Sequence, residues 1–140
     1  MRRQKKAVKR DRHGVATVEL ALVLPAFIVL VFGTVEICQR LHTKQSVVIA
    51  AYESCRVATR PISDTEAVRT RCQSLLDQQN VQEATIHIRN ITQGRNDLDE
   101  ISTGDEIRVR ITVPWSANVV SRYIIADQGT FQVQAFMLRE

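Results

Sequence analysis

Aromatic residues make up only 5% of this sequence, and tryptophan occurs once. A chain so poor in aromatics offers no series of stacking platforms for single-stranded nucleic acid. Cysteine is equally scarce. Cys38, Cys55 and Cys72 are too few for a disulfide framework, and no CxxC pair reads as a zinc or redox motif. The three histidines, His13, His42 and His87, stand far apart and suggest no ligand set. His-Ser-Asp series, paired carboxylates, metal-ligand spacing and phosphate-binding glycine loops are all missing, so the expectation is a non-enzyme with no metal and no cofactor.

Acidic residues are the next shortage, but only at one end. Arg2, Arg3, Lys5, Lys6, Lys9, Arg10 and Arg12 face a lone Asp11 before Gly14, which accounts for more than the whole net charge of +4 and leaves the remainder mildly acidic. A basic cluster that stops where an apolar run begins is the mark of a cytoplasmic flank of a membrane span rather than of a nucleic-acid binder. With 140 residues in all, there is room for one compact domain besides.

What is present in quantity is apolar length. Residues 15–35 read VATVELALVLPAFIVLVFGTV, with Glu19 as the one ionisable side chain, and this is about the 20 residues a helix needs to cross a bilayer. The charge asymmetry predicts an N-terminus inside and the rest of the chain outside, in the extracytoplasmic space. A cleavable secretory signal competes, since its apolar region is shorter and ends at a small-x-small site. Only Val31-Phe32-Gly33 offers such a site, and the helical pattern runs past it. No Gly or Pro interrupts residues 34–60, so the helix is expected to continue outside the membrane to about Thr59, with Ile37, Leu41, Val48, Tyr52, Cys55 and Ala58 on one stripe.

Pro61 ends that helix. Ser63 with Glu66 resembles a capping box, predicting a second helix over about 64–79 that buries Val68, Cys72, Leu75 and Leu76. After Asn80 the period changes to two. Ala84, Ile86 and Ile88, then Ile107, Val109, Ile111 and Val113, then Phe131, Val133, Ala135 and Met137 alternate with polar residues, predicting three half-buried strands. A short helix is expected between Pro114 and Gly129. The predicted class is α+β: a long N-terminal transmembrane, pilin-like helix, a second helix and a small antiparallel sheet. The predicted organisation is a basic leader 1–14, a span 15–35, a helical continuation 36–60 and an αβ domain 61–140.

Cys55 and Cys72 are equidistant from the turn between the two helices. Such positions face each other in a helical hairpin, and an extracytoplasmic compartment permits them to bond; two buried free thiols are the alternative. Cys38 lies too far along the same helix to pair with Cys55.

The segment HGVATVEL at 13–20 places a Gly directly before the apolar run and a Glu five positions after it. This resembles the processing site of type IV prepilins, and GVATVELALVLPAFIVLVFGTVEI is similar to the start of TadE-like proteins of tight-adherence, Flp-type pilus systems. The resemblance implies cleavage by a prepilin peptidase between Gly14 and Val15. It implies further partners among other pilins and pseudopilins and an inner-membrane assembly platform, and a location in the inner membrane or in a pilus used for surface adhesion. The physical logic is independent of the family. A carboxylate at the bilayer centre costs about 2.5–3.5 kcal/mol on insertion scales, less near the interface, and asks for a partner. Cleavage would make one, the new amine of Val15, set against Glu19 of a neighbouring helix or of the same one, four residues on. Glu19 snorkelling to water or pairing with Arg12 is the bland alternative. Pro25, in mid-span, removes a helix hydrogen bond and is expected to kink or loosen that turn. Leu20 stands where the major Flp pilins have Tyr, and the chain is longer than theirs, which favours a minor pilin or pseudopilin. The competing function is an unprocessed, membrane-anchored envelope module that binds another protein.

Overall fold

The computed structural model describes residues 13–60, 64–98, 100–118 and 129–139. The basic leader up to residue 12, and residues 119–128, where most of the expected short helix falls, lie outside the described residues. The architecture is α+β, with order α1 His13–Ala58, α2 Thr65–Gln78, β1 Thr85–Asn90, β2 Glu106–Pro114, a 3-10 turn at Trp115–Ala117, and β3 Thr130–Leu138. The chain divides into two compact units, Met1–Val35 and Glu36–Glu140, and α1 contributes residues to both.

In the first unit the helix buries nothing against the protein. The large side chains from Val15 to Val35 are exposed, Leu22 at 75% and Leu30 at 65%. This is the one described helix long and apolar enough to cross a membrane, and bulky apolar residues on every side are what a lipid environment solvates. Pro25 lies within the helix; its ring nitrogen has no proton to give to the carbonyl one turn back.

In the second unit the core forms between helices and one sheet face. The sheet is a three-stranded antiparallel meander, with Ile111 opposite Ile86 on one side and Val133 on the other. The period-two pattern puts Ile107, Val109, Ile111 and Val113 entirely inside, each burial worth about 1.5–3 kcal/mol. Val68, Cys72 and Leu76 of α2 reach the same core, with Leu75 half-buried at its margin. From α1 come Val47, Ala50, Ala51, Cys55 and Ala58. That set corrects the expected stripe. Cys55 and Ala58 are buried, whereas Ile37, Leu41, Val48 and Tyr52 are 46–55% exposed. The physical reason is helix geometry: with Val47, Ala50, Ala51, Ser54 and Ala58 on the inner side, Val48, Ile49 and Tyr52 fall on the opposite one.

The cap of α2 is also shifted. Asp64, not Ser63, is the N-cap, accepting from the Ala67 N–H at 2.6 Å; Ser63 lies outside the described residues. At the other end of the core the long β1–β2 connection is held by one carboxylate. Asp105 Oδ2 accepts from Asn90 Nδ2 at 2.9 Å, Gln93 Nε2 at 2.7 Å and the Ser102 N–H at 2.9 Å. The Ser102 N–H first, then the Asn90 amide, hold the Asp105 carboxyl below the usual carboxylate range. Gly104, at φ +92°, makes the tight turn just before it, a conformation that costs other residues strain.

Candidate functional site

The residues singled out from the sequence gather on α1. Gly14 and Val15 sit in its first turn, exposed, and among the described residues nothing beyond the adjoining turn of helix comes within 4 Å of where a Gly14 side chain would project. Glu19 is one turn further, exposed among Val15, Val18, Leu20 and Leu22, and no ion pair to it is found among the described residues. Val15 and Glu19 share a face by their i, i+4 spacing. A carboxylate set in an apolar helix surface is a group awaiting a counter-charge.

Within the second unit the same helix carries two apolar faces. The inner face packs on the sheet. The outer face, Ile37, Leu41, Val48, Ile49 and Tyr52, is exposed, and Leu41, Val48 and Ile49 border a shallow depression with the Lys44 and Gln45 stems. Their spacing is that of one helix side. The sequence reading merged these faces into one stripe; the run Val47-Val48-Ile49-Ala50-Ala51 was the available signal, because five successive apolar residues cannot all lie on one side of a helix.

Glu36 was missed as well. It opens the second unit wholly buried, with Oε1 3.8 Å from Nη2 of Arg40 one turn later. The Arg40 guanidinium lies 5.2 Å from the centre of the Trp115 ring, which stacks on Phe131 at 4.2 Å. The cation–π contact links α1 to Trp115, just past the end of β2, and through its ring to Phe131 of β3, while the ion pair lies within α1. Its signal in the sequence was the i, i+4 pair alone.

Cys55 and Cys72 are both buried free thiols, and Cys38 is free and exposed. Cys55 Sγ donates to the Ile107 carbonyl at 3.4 Å, so its sulfur is turned towards β2. Burial pushes the Cys55 thiol up to about 11 and raises that of Cys72 as well, the latter opposed by Ser54 and Arg69. Both are therefore neutral packing groups at physiological pH rather than nucleophiles. Among the described residues no group of three His, Cys, Asp or Glu side chains is placed to hold a metal ion.

These features define a class: a chain with, among the described residues, one apolar helix long enough to span a membrane, consistent with a single-pass membrane protein, whose helix continues into a small α+β domain. Residues 14–56 match the model of the family described as TadE-like protein, and that match supports a TadE-like protein. It begins at Gly14, takes in Val15, Glu19, Pro25, Glu36 and Cys55, and stops short of α2 and the sheet. A TadE-like segment suggests a protein associated with Tad/Flp pilus systems. Neither the curated proteins nor the solved structures contain a match to the chain.

Proposed function

We propose that this chain is a non-enzymatic, membrane-anchored pseudopilin that takes part in assembling a Flp/Tad-type pilus for surface adhesion. In this reading a prepilin peptidase cuts between Gly14 and Val15 at the cytoplasmic face, and the residues after the span stand outside. The observation that carries it is the coincidence of the family match with a helix whose apolar surface the protein leaves uncovered. Lipid can cover the part from Val15 to Val35. The outer face from Ile37 to Tyr52 belongs to the compact second unit, and a neighbouring pilin helix is the kind of element that ridges-into-grooves packing would seat there. Glu19 then pairs with the amine of a processed neighbour, and its charge is compensated only in the assembly.

The test is the intact mass and N-terminal sequence of the protein from its native membrane, for wild type and for Gly14→Val. A mature chain beginning at Val15, with Gly14→Val uncut and piliation lost, is the expected result. Because nothing crowds Gly14, a failure of Gly14→Val to mature reports recognition by the peptidase rather than misfolding. A wild-type chain still carrying its leader, with normal piliation in the variant, would transfer the reading to the unprocessed envelope module.

A further inference from the structure

After Gly14 the chain has one lysine, Lys44, and eleven arginines. Several of these meet on the solvent side of the sheet. The register sets Arg89 of β1 directly opposite Arg108 of β2, and His87 opposite Arg110. Like charges facing each other across two strands destabilise a sheet, and among the described residues none of these three arginines has a carboxylate partner. Arg69 reaches the same place from α2, its nearest acid Glu66 being 3.9 Å away. Together with Asn96 these side chains line a cleft of about 330 Å³, at the small end of the ligand-pocket range of about 300–1,000 Å³. Arg110 adds a cost of its own. Its Nε is shut off from solvent and donates to no acceptor, and a buried donor left unsatisfied carries a desolvation cost.

The geometry points to a binding site for a phosphate monoester or diphosphate group in the cleft formed by Arg69, His87, Arg89, Asn96, Arg108 and Arg110. Four guanidinium groups around one small volume require several negative charges close together. A phosphomonoester carries close to two, with three acceptor oxygens, and its oxygens accept from more than one guanidinium fork. Peptide carboxylates bring one charge each on separate stems, which suits a spread-out surface rather than a cleft. The group comes from a phosphorylated lipid headgroup or from a soluble phosphate ester, and the cleft reads the chemistry common to both. This site is separate from the processing site and from the outer face of α1, so it stands or falls independently of the pilus reading.

The test uses the full chain in nanodiscs of phosphatidylcholine, titrated with inorganic pyrophosphate by calorimetry. Saturable one-to-one binding is expected, weakened about tenfold or more in Arg108→Gln and in Arg110→Gln, as loss of a charge-assisted hydrogen bond implies. Arg71→Gln removes the same charge from an exposed position on α2 outside the cleft and is expected to leave binding unchanged. In phosphate-free buffer Arg108→Gln is also expected to raise the melting temperature, since it relieves the repulsion with Arg89; that gain confirms folding of the variant. Repeating the titration with phosphatidic acid in the discs separates the sources: competition assigns the lipid headgroup, its absence the soluble ester, and the proposal holds in either case. It is overturned by a lack of saturable binding at millimolar pyrophosphate, or by equal weakening in Arg71→Gln. Tighter binding of a poly-glutamate peptide than of pyrophosphate also overturns it and makes the face one for an acidic protein.

Discussion

Residues 15–35 and residues 36–58 belong to the same helix, yet they satisfy the hydrophobic effect in opposite ways. The first stretch is bulky on every side, and its large side chains stay exposed. The second is divided: Ser46, Val47, Ala50, Ala51, Ser54, Cys55 and Ala58 are buried, while Ile37, Leu41, Val48, Ile49 and Tyr52 face away. Most of the residues turned inward are small, although Val47 goes in and Val48 out. A lipid-facing helix gains from volume in all directions, because its solvent adapts to any shape. A sheet does not adapt, so a helix packed on it needs small residues at the contact and close packing around them. Bulky apolar residues on the far side of such a helix therefore add nothing to the domain's own core.

The largest effect that would sharpen this contrast comes from the sheet centre. Ile111→Ala is expected to cost about 2–5 kcal/mol, because the site is fully enclosed and leaves a cavity. Leu22→Ala removes the same three carbons from a position that is 75% exposed, and the melting of the second unit should not respond to it. Both are measured on the full chain in nanodiscs by thermal melting followed through the tryptophan. If Leu22→Ala lowers that melting as much as Ile111→Ala does, the two regions are not energetically distinct and the comparison breaks.

The next effect tests size at the helix–sheet contact. Ala51→Leu adds three carbons where exposure is zero, and overpacking of this kind costs about 1–3 kcal/mol. An enlargement on the outer face, Val48→Phe, adds four carbons to a residue that is 46% exposed and should be neutral for folding. An equal loss in both variants would mean that the small residues are not chosen for close approach.

How far these features could be read from the residues alone follows the same physics. The alternation in IRVRITV was enough to place Ile107, Val109 and Ile111 inside, because a strand buried on one face has only one apolar side. The helix was harder. Burial on a sheet, exposure to lipid and docking of another helix all ask for apolar residues, so Val48 and Val47 look alike until the sheet is in place. The cap of α2 was ambiguous because Ser63 and Asp64 are both good N-caps. The phosphate cleft was out of reach for another reason. Each arginine reads as a solvated residue on its strand, and their convergence exists only once β1 and β2 are in register and α2 has brought Arg69 alongside.

A smaller effect tests whether α2 belongs to the packed region on its own strength. Asp64→Ala removes the side chain that accepts from the Ala67 N–H and should cost about 1 kcal/mol. Asp64→Asn or Asp64→Ser should restore most of it. A loss from Asp64→Ala that neither replacement recovers would assign the effect to charge or to the adjoining turn instead of the cap.

The smallest expected effect is a titration, and it separates the two regions by pH rather than by mutation. The Asp105 carboxyl is held below its ordinary range by the Ser102 N–H and the Asn90 and Gln93 amides. In the unfolded chain those partners are lost, and the group returns to about 3.9. Between the two values the unfolded state binds more protons than the folded one, so stability rises with pH across that window. The contribution is complete above the unfolded value and disappears as pH falls through the folded value. Asp105→Asn keeps the shape and cannot ionise. The melting difference between wild type and Asp105→Asn is therefore expected to be steady from pH 7 to about pH 5 and to shrink below about pH 4. A difference that stayed constant down to pH 2 would mean that Asp105 stabilises the β1–β2 connection through shape and neutral hydrogen bonds alone. Residues 15–35 have no part in this titration, since the Asp105 cluster is built wholly within the second unit. Replacing Glu19 by Gln should leave the pH dependence of this melting unaltered, and a shift there would show that the two regions are coupled.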